Sequence, residues 1–333
     1  MTNRTTAGQL ARRPEAGSFM GLLAVYVFFA AMGGANFIGA PGLSSFLNMT
    51  SEVGIIALAI GLLMIAGQLD LSVGSTVPAS SLTVSLLAVD FGVPDVLAIL
   101  GGLGVGLAIG FVNGVLVSRT RIPSLIITIG TMFGTMGLTL GVTVLIHGST
   151  GVFLVPEDAT KAVFGQLVGN MFQVSILWWG LFVGATWWLL HASPLGNWIF
   201  ALGGDKDSAR NAGIPTVWLT IGLYMFSGFT AAFVGVLQVM TFNAAQVAAG
   251  QTFIFNSIMC VVIGGVLLTG GAGSVAGIVI GTLTFCIVNQ GIFFSGLDPN
   301  YGSIIIGALL LIAVMTNDKF RAMALALAAG RKR

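Results

Sequence analysis

Long apolar runs separated by short polar stretches dominate the hydrophobic pattern of the chain. Runs of about 18 residues or more are typical of helices that cross a bilayer, whereas a transmembrane barrel would show short alternating segments. The runs fall at 18–37, 52–69, 74–91, 95–117, 123–146, 173–191, 216–240, 252–269, 273–295 and 302–317. The pattern therefore predicts an all-α membrane protein, a polytopic bundle of about ten transmembrane helices.

The first apolar run leaves one alternative open. Small residues at Ala30 and Gly33 suit a signal peptidase, but the run is longer than the ~7–15 residues of a signal-peptide core. We therefore interpret it as a membrane span. The partly polar stretch 38–51 that follows is interpreted as a link or as an interfacial helix that inserts Phe46 and Leu47 into lipid.

Basic residues orient the predicted spans. With a cytoplasmic N-terminus and ten spans, all of the 13 lysines and arginines except Lys161 fall on the cytoplasmic side. We therefore predict that both termini are cytoplasmic. The predicted organisation is a tail at 1–17, a single transmembrane domain at 18–317 and a basic tail at 318–333. It places the loop 193–215 in the cytoplasm.

Composition narrows the functional classes. The chain has 333 residues, is 56% hydrophobic and only 7% charged, and has a mean hydropathy of +1.00, unlike a soluble domain. Its surroundings are expected to be membrane lipid, and a net charge of +2 gives no reason to expect a nucleic-acid partner. Cys260 and Cys286 are interpreted as small buried hydrophobic residues. His147 and His191 have no further ligand at suitable spacing, so no metal site is expected.

No catalytic or nucleotide-binding motif stands out in the sequence. The chain has no G-x-S-x-G elbow, no paired carboxylates placed for hydrolysis and no G-x-x-x-x-G-K-[ST] loop for ATP. We therefore expect neither an enzyme nor a cofactor bound by this chain. Energy for uphill transport would have to come from a gradient or from another subunit.

Polar residues at membrane depth are the candidates for a translocation path or hinge. Asp70 lies in GQLDLSVGS, at 67–75, between two spans that leave hardly any room for a turn. An acid at that depth should face a cavity, a helix N-terminus or a partner, and Ser72, Gly74 and Ser75 suit the start of a broken or re-entrant helix. The alternative is a capping carboxylate at an ordinary cytoplasmic turn. The other candidates, which could instead make interhelical hydrogen bonds, are Asn113, Thr128, Thr131, Asn256 and Asn289.

Two ladders of glycines recur at every fourth position. This spacing places them on one face of a helix and creates a groove into which a second helix packs closely. Ordinary packing and a seam along which helices slide are both compatible with the pattern. The ladders are Gly102, Gly106, Gly110 and Gly114, and Gly273, Gly277 and Gly281.

Five motifs occur in a fixed order along the chain. They are GQLDLSVGS at 67–75, IPSLIITIGTM at 122–132, ALGGDKDSARNAGI at 201–214, YMFSGFTAAFVGVL at 224–237 and VIGGVLLTGGAGSVAG at 262–277. Together they resemble the permease subunits of bacterial ABC importers for monosaccharides, of the ribose-transporter type. The resemblance covers about residues 50–317. It implies an inner-membrane permease that pairs with a second permease subunit, docks cytoplasmic ATPase subunits that bind the ATP, and receives sugar from a periplasmic binding protein.

The resemblance also gives the cytoplasmic loop a role. In that family the pattern Gly-Gly-Asn-Glu-x-x-Ala-x-x-x-Gly-Ile marks the expected ATPase-docking segment. The matching residues are Gly203, Gly204, Ala209, Gly213 and Ile214. Asp205 and Lys206 stand where the family usually has Asn-Glu, and Arg210 adds a further charge. We expect a short amphipathic helix, such as 208–212, with Asp205 as its N-cap.

Two functional hypotheses follow. The first is a permease subunit of an ABC importer that translocates a monosaccharide or a similar small polyol. The alternative is a gradient-driven secondary transporter or channel for a small polar solute. The near absence of acids at membrane depth argues against the alternative, since proton and cation relays rely on such groups.

Overall fold

Helices make up most of the structure, a computed structural model that describes residues 14–296 together with 298, 301, 302, 304, 305, 307 and 308. The helices are α1 (Pro14–Ile38), α2 (Ala40–Ile65), α3 (Val73–Val89), α4 (Asp95–Arg119), α5 (Ser124–His147), α6 (Asp158–Phe164), α7 (Ser175–Trp187), α8 (Pro194–Gly204), α9 (Lys206–Asn211), α10 (Thr216–Phe242), α11 (Gln251–Ile263) and α12 (Val275–Phe294). Short antiparallel pairs join β1 (Gly151–Phe153) to β4 (Ala244–Gln246), and β2 (Leu167–Val168) to β3 (Phe172–Gln173).

Six of the described helices are long and apolar enough to cross a membrane: α1, α2, α4, α5, α10 and α12. The shorter apolar helices α3 and α11 coincide with the predicted spans at 74–91 and 252–269. A π-helical turn, Trp188–Ala192, extends α7 over the predicted span at 173–191. The prediction of a helical membrane protein is therefore confirmed. The count of ten stays a prediction because most of the run at 302–317 lies outside the described residues, as do 1–13 and the tail 318–333.

The stretch 38–51 is helical, as one of its two interpretations expected, but it is neither a link nor a helix with Phe46 in lipid, so those predictions were wrong. Apart from its first two residues it belongs to the long helix α2. Ser44 and Ser51 each donate a hydroxyl hydrogen bond to the carbonyl oxygen three residues earlier, at 3.0 and 2.7 Å, which satisfies these hydroxyls within the helix. Phe46 is only 5% exposed and lies against the ring of Phe37 rather than in lipid.

Both glycine ladders are packing seams. A Cβ added at Gly106 or Gly110 would collide with the backbone of α10, and one added at Gly277 or Gly281 would collide with the end of α11. The absence of a side chain therefore lets these helices approach backbone to backbone, which is a common way to hold helices together in lipid. The ordinary-packing interpretation is confirmed. A sliding role stays a prediction.

Helix connections gather at the two opposite ends of the bundle. At one end, the segments 66–72, 193–215 and 264–274 meet. The amide of Gly271 there donates a hydrogen bond of 2.8 Å to the carbonyl oxygen of Ile65, the last residue of α2. All three of these segments are predicted to be cytoplasmic.

The opposite end is formed by the first turns of α2 and the segment 147–174. The side chain of Asn48 bonds the backbone of Met171 at 2.8 Å and of Gln173 at 2.9 Å. Asp90, just after α3, pairs with His147 at 2.9 Å. Because each residue of an α-helix advances about 1.5 Å, Asn48 and the end of α2 lie roughly 25 Å apart. The helices α2 to α5 and α7 therefore run alternately from one end to the other.

Candidate functional site

The loop 193–215 folds into two short helices, α8 and α9. Ser193 caps α8, since its Oγ accepts a hydrogen bond of 3.2 Å from the amide of Leu195, and Pro194 occupies the first helical position, where its missing N–H costs nothing. α8 carries the chain back to the end of α2, and α9 follows it after a single intervening residue, Asp205.

Asp205 is the N-cap of α9. Its Oδ1 accepts a hydrogen bond of 2.6 Å from the amide of Ser208, three residues on. The hydrogen bonds from Ser208 lower the pKa of this exposed carboxyl, because they stabilise its charged form. The predicted N-cap is therefore confirmed. The observed helix, Lys206–Asn211, begins two residues before the predicted one and ends one residue before it.

The other end of α9 explains the Gly-Ile pair of the motif. Gly213 has a φ of +83°, in the left-handed region that glycine adopts without strain. Its amide donates to the carbonyl of Arg210 at 3.0 Å, and the amide of Ile214 donates to the carbonyl of Ala209 at 3.1 Å. These two bonds form a Schellman motif, which ends a helix at a defined residue. Local backbone chemistry thus determines both ends of α9.

α9 presents charge to its surroundings. Ala209 is buried at 3% exposure, whereas Lys206, Asp207 and Arg210 are exposed. None of the three exposed side chains has an ion-pair or hydrogen-bond partner within the described part of the chain. A small helix with one buried face and several unpaired charges is suited to contact with another protein.

The end of α8 lies in a junction of glycines. A Cβ added at Gly203 would collide with the carbonyl oxygen of Ile65 and lie 2.7 Å from the amide nitrogen of Gly271. One added at the neighbouring Gly204 would meet no atom of the described residues within 4 Å. Gly203 therefore joins the α8–α9 segment to the end of α2 and to the connection between α11 and α12 by direct backbone contact.

A buried polar network surrounds Asp70, which is 1% exposed. Its Oδ1 accepts hydrogen bonds from the amide and the hydroxyl of Ser72 at 2.9 and 2.6 Å. Its Oδ2 accepts one of 2.8 Å from the hydroxyl of Ser227 on α10. The Nδ2 of Asn113 on α4 donates to the Oγ of Ser72 at 2.7 Å, while its Oδ1 is buried without a partner among the described residues. The network thus ties the start of α3 to α4 and α10.

The chain just before Asp70 is held by two further residues. The Oη of Tyr224 donates to the carbonyl of Leu69 at 2.9 Å, and the amide of Leu69 donates to the Oγ of Ser124 at 3.2 Å. Tyr224 and Ser227 were not predicted as site residues. They lie three positions apart on α10 and so share one face of that helix. Both belong to the motif YMFSGFTAAFVGVL, and this spacing of two polar groups is the signal from which they could have been predicted.

The start of α3 differs from the prediction in its details. Ser72 is in the N-cap position, but its side chain makes no capping bond; the carboxylate of Asp70 accepts its amide instead. The hydroxyl of Ser75 donates to the carbonyl of Ser72 at 2.9 Å. Gly74 leaves room for Ile254 of α11. Asp70 is buried, and α3 with its 17 residues is about 26 Å long. A hinge or path role and a capping role at a cytoplasmic turn both stay predictions.

The remaining candidates for the path do not all converge. Thr128 and Thr131 of α5 donate their hydroxyls to carbonyl oxygens of α5 itself, at Ser124 (2.9 Å) and Thr128 (3.2 Å). Asn256 lies half-buried on α11. Asn289 is bonded to Gln290, whose Oε1 accepts from Ser45 near the start of α2. Asn289 therefore lies at the end of the bundle opposite Asp70. A path across the membrane extends between both ends, so the place of Asn289 on it stays a prediction.

Comparison with known proteins gives the context of these features. A family model described as a branched-chain amino acid transport system permease component matches residues 42–314. The chain belongs to this family. It is 31% identical to a ribose import permease protein of Escherichia coli over 96% of this chain and 99% of the relative.

Two further relatives widen the range of the family. A fructose import permease protein of Rhizobium meliloti is 30% identical over 93% of this chain and 87% of the relative. An autoinducer 2 import system permease protein of Photorhabdus luminescens is 31% identical over 79% of each chain. No solved structure matches.

The family membership determines the general function of the chain. It is a permease subunit of an ABC importer and a multi-pass protein of the bacterial inner membrane. Subunits of this kind work with an ATPase and a periplasmic binding protein, and they are transport proteins rather than typical enzymes. The hypothesis of a permease is confirmed over that of a gradient-driven transporter.

Proposed function

We propose that this permease translocates a monosaccharide or a similar small polyol inward, driven by ATPase subunits that dock on the α8–α9 segment. The observation that carries the proposal is α9, a helix capped at both ends, exposed and charged. It follows directly on α8, whose Gly203 contacts the backbone at the end of α2. The substrate class is supported by the relatives, whose names specify ribose and fructose. The binding protein would supply most of the selectivity among sugars.

The proposed topology has ten spans and two cytoplasmic termini. It assigns the end of the bundle that holds Gly203 and Gly271 to the cytoplasm. Support comes from the basic residues, of which only Lys161 would lie outside, and from the separation of the helix connections into two groups. The transporter would contain a second permease subunit, either another copy of this chain or a paralogue. ATP would bind to the partner ATPase, and no cofactor is assigned to this chain.

The proposed path or hinge contains the network around Asp70, with Ser72, Gly74, Ser75 and Asn113. Support comes from the burial of an acid without a basic partner among the described residues, which is costly in a membrane and usually has a functional reason. Thr128, Thr131 and Asn256 remain candidate lining residues of the path, although the first two bond within their own helix. Asn289 remains a candidate for the opposite end of the path.

Reconstitution tests the transport function. Proteoliposomes containing this chain, its ATPase and its binding protein are expected to accumulate radiolabelled ribose or fructose only when ATP is supplied on the ATPase side. A matched preparation without the ATPase is the control. Uptake by this chain alone, driven by an ion gradient, would instead favour a secondary transporter and contradict the proposal.

Coupling through the α8–α9 segment is tested by two neighbouring glycines. Gly203→Ala places a methyl group against the carbonyl oxygen of Ile65, whereas Gly204→Ala meets nothing. We expect Gly203→Ala to keep its co-purifying ATPase but to transport fewer sugar molecules per ATP hydrolysed, because the junction is forced apart. Gly204→Ala serves as the matched control. Equal transport per ATP in the two variants would show that the junction does not transmit the motion.

A further inference from the structure

The segment 151–158, at the end of the bundle opposite Gly203, forms a ridge on the surface. Its residues alternate: Val152 and Leu154 are buried, with 1% and 4% exposure, whereas Phe153 and Val155 are 80% and 91% exposed. Pro156 is buried in turn. This period of two is that of an extended chain with one face packed against the protein and the other facing away. The outward face carries large apolar side chains that nothing in the described part of the chain covers.

Hydrogen bonds to β4 and to Asp95 hold the ridge in place. The amide of Leu154 donates a hydrogen bond of 3.0 Å to the carbonyl of Asn243, just before β4, and β1 pairs along β4. Asp95, 4% exposed, accepts hydrogen bonds from the amide of Glu157 at 2.7 Å and from the hydroxyl of Thr160 at 2.8 Å. A buried carboxylate thus fixes the far end of the segment. Its exposed side chains are preorganised, which lowers the entropic cost of binding a partner.

Acidic charge follows the apolar residues on the ridge. Glu157 and Asp158 are exposed, and no partner for either carboxylate lies within the described residues. The nearest base in sequence, Lys161, contacts the Oδ1 of Asn243 at 3.4 Å. Asp90 at the same end is already paired with His147. The free charge of the ridge is therefore negative, and a complementary surface would be basic.

The chemistry of the ridge favours a soluble partner over lipid. Apolar side chains alone would suit lipid tails, but two adjacent unpaired carboxylates would be costly there. Exposed aromatic and aliphatic anchors beside unpaired charge are typical of protein interfaces, in which apolar anchors are buried and charges lie at the rim. The ridge also borders a groove of about 320 Å³ that is lined by residues 149–153 and 244–246, between β1 and β4.

We propose that the ridge 151–158 is the docking site of the periplasmic binding protein, which would meet it with an apolar patch rimmed by lysine or arginine. This inference rests on the proposed topology, in which this end of the bundle is periplasmic. Phe153 and Val155 would be the buried anchors of the contact. Glu157 and Asp158 would steer the association and make it sensitive to salt.

Two variants of the complete transporter test the two halves of the ridge. The first replaces both acids, Glu157→Gln with Asp158→Asn, and the second is Val155→Ser. The control is Trp218→Ala, because Trp218 is 71% exposed and lies at the opposite end of the bundle. Each variant, in nanodiscs with its ATPase, is titrated with the sugar-loaded binding protein of the same import system at low and high salt. Co-purification of the ATPase and a monodisperse elution profile show that each variant is folded.

The ridge predicts a distinct result for each half. Val155→Ser should raise the Kd on the order of tenfold at both salt concentrations, since a buried anchor acts mainly on dissociation. The double charge variant should lose most of the salt dependence of the association rate, and Trp218→Ala should bind as the unmodified protein does.

Two other results would overturn the inference in different ways. In the first, the unmodified transporter binds the binding protein and imports sugar, but both ridge variants bind the binding protein with the same affinity and salt dependence. The ridge is then not the docking site, and the proposed function stands. If the unmodified transporter neither binds the binding protein nor imports sugar with ATP, the proposed function fails and the inference fails with it.

Discussion

Removal of the Asp70 carboxylate is expected to destabilise the permease strongly. Asp70→Ala deletes the acceptor of three hydrogen bonds, from the amide and hydroxyl of Ser72 and from the hydroxyl of Ser227. Asp70→Asn is the matched variant with nearly the same shape. It retains one oxygen for the two donors of Ser72, and its new amide group can donate to the hydroxyl of Ser227.

The expected loss of stability depends on which hydrogen-bond donors can find another acceptor. A serine hydroxyl on a helix can turn to a carbonyl oxygen of its own preceding turn, so Ser227 need not stay unsatisfied. The amide and the hydroxyl of Ser72 are buried beside the lost carboxylate. A buried donor left without an acceptor costs roughly 1–3 kcal/mol, so Asp70→Ala should lose about 2–6 kcal/mol of stability. Asp70→Asn, with its donors satisfied, should lose less than about 1.5 kcal/mol.

Unfolding in mixed micelles measures this difference. The two variants are titrated with sodium dodecyl sulfate, and the loss of structure is followed by circular dichroism. The Ser227→Ala variant and its combination with Asp70→Ala complete a double-mutant cycle, in which contacting residues should give less than additive losses. If Asp70→Ala unfolds at the same detergent fraction as Asp70→Asn, the network does not stabilise this part of the structure and the reasoning is refuted.

Two further predictions concern helix packing and the α9 cap. Gly110→Ala should destabilise the protein by about 1–3 kcal/mol, because its methyl group collides with the backbone of α10. Gly104→Ala, on the open side of α4, should be neutral or slightly stabilising. Thermal unfolding of both variants in detergent measures the difference, and equal melting temperatures would contradict the packing argument. Asp205→Ala should weaken ATPase co-purification and Asp205→Asn should retain most of it, since asparagine also caps helices. The pKa of Asp205 is lower in the folded state than its unfolded value of ~3.9. The stabilisation by the charged carboxylate is therefore present above the unfolded pKa and is lost only as the pH falls through the folded pKa. Titration of Asp205 should thus leave ATPase docking unchanged between about pH 5 and 8. A loss of docking in that range that disappears in Asp205→Asn would contradict this assignment.

The sequence predicted the features that depend on neighbouring residues. The N-cap at Asp205 needs only a carboxylate and an amide three positions later, and both are present in the motif. The glycine ladder of α4 depends on helical periodicity alone, and it packs as this periodicity indicates. The apolar runs predicted the six described helices that are long and apolar enough to cross a membrane, because a spanning helix must satisfy its backbone polar groups internally.

Features that depend on distant residues could not be predicted in this way. Ser227 lies 157 positions after Asp70, and no local pattern indicates that the two side chains bond. The same limitation applies to Asn289, since the sequence does not show that it lies at the end of the bundle opposite Asp70. The start of α2 was misjudged because its serines and Asn48 look like a loop in sequence, whereas the structure gives each of them a hydrogen-bond partner.

The glycine junction and the Asp70 network lie at the two ends of one short connection. Ile65, at the first end, contacts Gly203 and Gly271, while Asp70, at the second, is bonded to Ser227. Only four residues separate Ile65 from Asp70, and a chain of that length spans at most roughly 18 Å when fully extended. Within this connection the amides of Gly67 and Gln68 donate to the end of α2 at 2.9 Å each, and Leu69 is bonded to Tyr224 and Ser124. A displacement of the α8–α9 segment should therefore reach the start of α3 rather than be absorbed on the way. In a double variant, Gly203→Ala with Asp70→Asn, we accordingly expect the losses in transport per ATP to be non-additive; simple additivity would mean that the two sites act independently.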